Sequence, residues 1–208
     1  NDNPNDEQQH LRLLESIHID GLIVTPTGRN RQILERMQKR GIEIVQIDRI
    51  VDGLNADAVL VDNEAGAAAA VSHLIEAGHT RIGILSGSLE VTTGKERLAG
   101  YERALREHGI PFVPELVKAG SFRQENAMAD ARALVGLDPA PTAIFAANNI
   151  LAEACLLVLA ESEMKVPTNV SLVGFDDTKW MGLMNPPITT VRQPIAEMAR
   201  KAANILLK

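Results

Sequence analysis

Short, nearly continuous apolar runs recur along the chain at Gly21 to Val24, Ile42 to Ile47, Ala58 to Val61, Ile82 to Leu85, Thr142 to Ala146 and Val170 to Val173. Runs of this length, rich in β-branched residues and without polar alternation, predict strands buried on both faces. Between them lie stretches with helical spacing: Ala67, Ala70, Val71, Leu74 and Ile75, then Leu98, Tyr101, Leu105 and His108. Each set draws one apolar stripe on a helix. Gly41, Gly78, Gly109 and Gly136 follow the last periodic residues, where a C-terminal cap favours glycine. The alternation predicts βαβα order, and so an α/β protein with mostly parallel sheets. Asn185-Pro186-Pro187 breaks that order before a short extended run and a last helix, Ile195 to Leu207. Proline disfavours both helix and central strand, so this segment reads as a crossing. No repeat or linker separates two independent domains, and two lobes would require the chain to pass between them more than once.

At 208 residues and 45% hydrophobic, the chain has enough apolar material for a sizeable core or for two small lobes. No apolar run approaches the roughly 20 residues of a membrane span, and the polar stretch Asn1 to Gln9 lacks the features of a secretory signal. Asn1 to Asp6 reads as a turn leading into a capped helix through Leu11 and Leu14, so the chain reads as part of something longer. The single cysteine, Cys155, excludes an intrachain disulfide and a cysteine metal cluster, and points to a reducing cytoplasm. Its 21 Lys+Arg against 27 Asp+Glu give a formal charge of −6, with the basic residues scattered. Phosphate binding needs concentrated positive charge, so this argues against direct nucleic-acid contact by the chain itself. An aromatic content of 3% equally disfavours stacking platforms for single strands.

The chemistry concentrates near Val170 to Asp177, VSLVGFDD, which sets two carboxylates at the carboxyl end of an apolar strand. In an open parallel sheet that end faces the ligand crevice. Adjacent side chains point in different directions, so one of Asp176 and Asp177 is expected to face the crevice and the other to turn the chain. Gly87 to Glu96 resembles a phosphate-binding loop, but Leu89 and Glu96 stand where the motif needs Gly and Ser or Thr. The five histidines form no HExxH pattern, and His79 reads as the residue just past a helix end. No Gly-x-Ser-x-Gly elbow exists, and Cys155 on an apolar face reads as packing. No metal site, cofactor or catalytic set is expected. On composition alone, Arg97 reads as a surface cation in a charged helix.

Several segments together resemble the lactose-repressor (LacI/GalR) family of transcriptional regulators, in its effector-binding, periplasmic-sugar-binding-protein-like domain. They are DGLIVTP at Asp20 to Pro26, VQIDR at Val45 to Arg49, the run from Val61 to Gly87, ERLAGYERAL at Glu96 to Leu105, PTAIFAANN at Pro141 to Asn149, VPTNVSLVGFDD at Val166 to Asp177, and PPITTVRQP at Pro186 to Pro194. The resemblance implies two doubly wound parallel-sheet lobes of the type I periplasmic-binding-protein-like fold, joined by three crossings. The N-terminal lobe maps to residues 1–62 plus 193–208, and the C-terminal lobe to 63–192. The family's helix-turn-helix, hinge helix and first strand and helix of the N-terminal lobe have no counterpart before Asn1, so that lobe is expected to be incomplete.

Carried over by motif position, the resemblance implies that Asp176 accepts from two hydroxyls of a sugar or sugar derivative and that Arg97 supplies a donor fork. Asn148 offers a donor and an acceptor, while Asp48 and Gln193 sit at the N-terminal lobe and a crossing. Phe122 corresponds to an aromatic covering an apolar sugar face, and Val91 and Thr93 to the loop that varies with effector. Asn149 replaces an Asp common in the family. Trp180, Leu183 and Met184 are expected at a homodimer interface, since nothing internal needs them in their loop. Operator DNA would be bound through a helix-turn-helix absent from this chain, with lobe movement as the output. The alternative reading is a periplasmic-type sugar-binding transport protein; ERLAGY with VSLVGFDD and PPITTVRQP favours the regulator. An α/β enzyme has no visible machinery.

Overall fold

The computed structural model describes residues 3–120 and 124–208 of the chain, so Phe122 lies outside the described residues. Two compact units divide the chain: Asn1–Val61 with Glu90–Thr93 and Pro194–Lys208, and Asp62–Leu89 with Gly94–Gln193. Each is built on its own all-parallel sheet.

In the first unit, helix α1 (Pro4–Ser16) starts at Asn3, whose side chain accepts from the Asn5 N–H at 3.0 Å. Asn at the cap and Pro in the first turn supply what a helix start needs. Strand β1 (Gly21–Val24), helix α2 (Arg31–Lys39), β2 (Glu43–Ile47) and β3 (Asp57–Val59) follow, and the strands lie in the order β1-β2-β3. The last helix, α7 (Ile195–Leu206), packs Met198 and Ala202 against Val45 and Val59. On the other apolar cluster, Leu11 of α1 meets Ile33, Leu34 and Met37 of α2 with Ile42 and Ile44. Glu7 stitches α1 to the loop after β1. Its carboxylate accepts from the Thr27 N–H at 2.9 Å, from the Thr27 hydroxyl, and from Asn30 Nδ2 at 2.6 Å.

The second unit contains α3 (Asn63–Glu76), β4 (Ile82–Leu85), α4 (Thr92–Glu107) from Gly94 onward, β5 (Val117–Lys118), α5 (Gln124–Val135), β6 (Ala143–Ala146), α6 (Asn149–Glu161), β7 (Ser171–Phe175) and β8 (Thr189–Val191). Its strand order is β5-β4-β6-β7-β8. All residues of β4 and β6 are buried, as the uninterrupted apolar runs require. Helix α5 presses directly on β4, because a Cβ on Gly83 would stand 2.3 Å from Leu134 Cδ2. Where α3 and α4 cross, a Cβ on Gly100 would lie 2.3 Å from the Glu64 carbonyl oxygen and 2.7 Å from Ala67 Cβ. Only glycine permits that backbone approach.

Local readings differ from the structure in instructive places. The buried face of α4 carries Arg97, Tyr101, Ala104 and Leu105, whereas Leu98 is half-buried and His108 exposed. Gly41, Gly78 and Gly109 take φ of 85°, 96° and 68° as left-handed caps, but Gly136 does not adopt positive φ. Helix α4 begins at Thr92, ahead of Gly94, and Gly94 is tight because a Cβ there would meet the Ser88 carbonyl oxygen at 2.0 Å. His79 does more than follow a helix. Its Nδ1 lies 3.0 Å from Thr142 Oγ1 and its Nε2 2.9 Å from Ser171 Oγ, bridging the starts of β6 and β7. Cys155 is fully buried, and burial pushes its thiol pKa up to about 12.

Candidate functional site

Because every strand of the second unit runs the same way, their carboxyl ends share one edge of the sheet. Ser86 follows β4 there, Asn148 lies just beyond β6, Asp176 follows β7, and Gln193 lies just beyond β8. In open α/β sheets this is the edge where ligands bind.

Asp176 occupies a left-handed backbone conformation at φ 72°, which Asp tolerates better than most non-glycine residues. Its backbone N–H still donates to the Val191 carbonyl at 3.0 Å, so the turn is anchored to β8. Its side chain accepts from Gln193 Nε2 at 2.5 Å and faces Arg97 Nη1 at 3.6 Å. Asp177 instead pairs with exposed Arg192 at 2.6 Å. The two carboxylates therefore separate, one toward the polar cluster and one toward the surface.

Arg97 is only 3% exposed, which overturns its reading as a surface cation. Its Nε donates to Asn63 Oδ1 at 2.9 Å, its Nη1 donates to the Ala147 carbonyl at 2.5 Å, and its guanidinium carbon lies 3.8 Å from the Phe175 ring centroid. Burial of a guanidinium is tolerable only with such partners. Asn63, itself 2% exposed, also donates through Nδ2 to Glu96 Oε2 at 2.8 Å. Sequence reasoning placed a crossing near Asn63 but gave the side chain no role. Its burial against α4 depends on tertiary packing, and no local pattern in the sequence signals it.

Asn148 caps α6, accepting from the Leu151 N–H at 2.8 Å. The cap engages its carbonyl oxygen, and its amide nitrogen carries two further donors. Thr93 is 1% exposed in the first turn of α4, one helical turn ahead of Arg97, and its hydroxyl has no hydrogen-bond partner among the described residues. Val91 is buried just before it. Asp48 belongs to the first unit, after β2, with φ 69° and Arg49 Nε 3.5 Å from its carboxylate. The structure thus joins Asp176, Arg97 and Gln193 directly, with Asn148 on the adjoining strand end. Among the described residues no three His, Cys, Asp or Glu side chains gather as a metal site would need, and no helix is long and apolar enough to cross a membrane.

The model of the periplasmic binding protein-like domain matches residues 71–208, and the chain belongs to that family, as the effector-binding type of domain found in LacI-family transcriptional regulators. It is 36% identical over 205 residues to a protein of Paenibacillus polymyxa named as a probable HTH-type transcriptional regulator, EndR, covering 97% of this chain and 60% of that protein. It is 33% identical over 205 residues to the HTH-type transcriptional repressor PurR of Aliivibrio salmonicida, covering 98% of this chain and 62% of that protein. The chain therefore spans about three fifths of the length of these curated relatives. Among solved structures, the complex of the transcriptional regulator CelR with cellobiose superposes with a TM-score of 0.88 at 31% identity, over 99% of this chain and 63% of that one. A sugar-binding transcriptional regulator of the LacI family from Escherichia coli, complexed with phosphate, gives 0.81 at 27% identity, over 98% and 74%.

Proposed function

We propose that this chain is the effector-sensing part of a cytoplasmic transcriptional regulator. It binds a small neutral sugar or sugar derivative between its two units and controls operator binding through their movement. The observation that carries the reading is the polar cluster Asp176, Arg97, Gln193 and Asn148 on one sheet edge. A carboxylate, a guanidinium and two carboxamides offer the mixture of acceptors and donors that vicinal hydroxyls require. Thr93 adds a buried hydroxyl without a hydrogen-bond partner among the described residues, and Val91 nearby adds an apolar surface.

Asp48 contributes from the first unit, so a ligand meeting both sets favours a closed arrangement. A ligand shifts that equilibrium only by its differential affinity for the closed form. The chain's net negative charge argues that DNA is met elsewhere, through a helix-turn-helix outside this chain. Two copies pair through Trp180, Leu183 and Met184. What supports this pairing is that Leu183 and Met184 are 83% and 40% exposed, respectively, apolar surface that a partner copy would cover. A transport protein of the same fold is the weaker reading, since the relatives are named as regulators.

The test is a thermal-shift screen of neutral sugars, cellobiose among them, with sugar phosphates as a contrast. Hits are followed by scattering and by operator binding of the longer protein. A neutral sugar raising the melting temperature and altering operator affinity is expected. Turnover of the sugar into a product would move the protein into another class.

A further inference from the structure

We infer that Asn63 is the positioning residue of Arg97, and that Glu96 makes it so by clamping the far end of the same carboxamide. This rests on the reading of Arg97 as an effector anchor. A guanidinium serves as a donor fork only when its plane is fixed. The Ala147 carbonyl fixes one corner and the Phe175 ring supports one face, but the Nε–H, nearest the flexible stem, is held by Asn63 Oδ1.

A carboxamide has two unlike ends, and here each is assigned by its neighbour. The Glu96 carboxylate only accepts, so it draws Nδ2 at 2.8 Å and leaves Oδ1 to face the Arg97 donor. Asn63 is 2% exposed and its bond to Arg97 is buried, so water is kept from that bond. Glu96 and Arg97 are successive residues of α4, yet one residue of α3 serves both. Gly100 makes this possible: its lack of a side chain brings the first turns of α3 close to α4. Glu64 uses the same approach to pair with Arg103 at 2.9 Å.

The chemistry at this position admits few substitutes. Asp would accept from Arg97 but repel Glu96; Leu has similar size and neither bond. A chain with Asn63→Asp and Glu96→Gln together keeps the acceptor for Arg97 and reverses only the bond between positions 63 and 96, because the amide introduced at 96 donates where the carboxylate accepted.

The test reads the Arg97 Nε–Hε proton by 15N NMR on the chain without ligand, assigned through Arg97→Lys. In the parent chain its exchange is expected to be at least about tenfold slower than that of exposed arginines. Asn63→Leu is expected to remove that protection, Asn63→Asp and Glu96→Gln each to reduce it, and the two substitutions together to restore it. Melting temperatures check folding, and if Asn63→Leu does not fold, the Asp and Asp/Gln pair carries the same contrast. Calorimetry with cellobiose adds a second reading, with affinity expected to fall about tenfold in Asn63→Leu and to recover in the double variant. Full protection in Asn63→Leu, or no rescue in the double variant, overturns the inference. Failure of cellobiose to bind the parent chain counts against the effector reading alone, and the NMR result still decides Asn63.

Discussion

The guanidinium carbon of Arg97 lies 3.8 Å from the centre of the Phe175 ring, while Asp176, the next residue, faces the same guanidinium at 3.6 Å. Successive residues of a strand point to opposite faces, so neighbours do not ordinarily share one partner. The left-handed φ of 72° at Asp176 bends the chain enough for both to reach Arg97. One strand end thus supplies apolar support and opposite charge to a single buried cation.

Asp176→Asn keeps the shape and tolerates the left-handed backbone while removing the charge. Titration calorimetry with a sugar that stabilises the parent chain should show affinity lower by about tenfold to a hundredfold, equivalent to about 1.5–3 kcal/mol of charge-assisted hydrogen bonding. Unchanged affinity would rule Asp176 out as an anchor.

Phe175→Leu keeps an apolar residue under Arg97 but removes the ring face. Loss of the cation–π contact should lower stability by about 1–2 kcal/mol in urea unfolding, on top of the packing change. Phe175→Tyr, if the hydroxyl is accommodated, should retain the contact, and equal loss in both variants would assign the effect to packing.

Gly100→Ala places a methyl 2.3 Å from the Glu64 carbonyl oxygen, so α3 and α4 must separate. Overpacking of this kind costs about 1–3 kcal/mol. The same change should loosen Asn63 from Arg97, visible as faster exchange of the Arg97 Nε–H. A variant as stable as the parent chain would show that the helices separate without strain.

Cys155 gives a pH prediction with a definite sign. Burial raises its thiol from the ordinary value of 9.0 to about 12, so the fold holds the neutral form. The stability linked to that group is fully present below pH 9.0 and is lost as pH rises toward about 12. Burial likewise raises the Tyr101 phenol, whose hydroxyl donates to the Ile82 carbonyl at 2.8 Å, and adds to the alkaline loss. Thiol reagents at pH 8 should label Cys155 only after unfolding, and rapid labelling of the native chain would contradict its burial.

The proposed pairing of two copies predicts a dimer in analytical ultracentrifugation of the parent chain, and Trp180→Glu with Met184→Glu, or Leu183→Glu alone, should shift it toward monomer. An intact dimer would remove this loop from the interface.

Much of the α/β architecture was legible in the periodicity. β1 and β4 fall on the residues expected, and the neighbouring runs shift by only one or two positions. Strand β7 is displaced toward the site, because Gly174 and Phe175 continue the pairing with β8. The two-residue strand β5 has no apolar run of its own and exists through its pairing with β4. The buried character of Arg97 was not legible from periodicity. Its partners lie 34 residues away at Asn63 and 50 at Ala147, and no local pattern joins them. Helix phase was misread for the same reason: apolar Leu98 drew the stripe toward itself, while tertiary partners turned Arg97 inward. Motif resemblance pointed to Arg97, Asp176, Asn148 and Gln193, but Asn63 required the crossing at Gly100 to be seen.

His79 bridges Thr142 and Ser171 where β6 and β7 begin, at the edge opposite to Asn148 and Asp176. The side chains that keep those two strands aligned are thus a different set from those at the proposed effector edge. Recognition can drift while the sheet stays intact, so replacing a handful of residues at one rim is enough to retune the same scaffold to a different chemical signal.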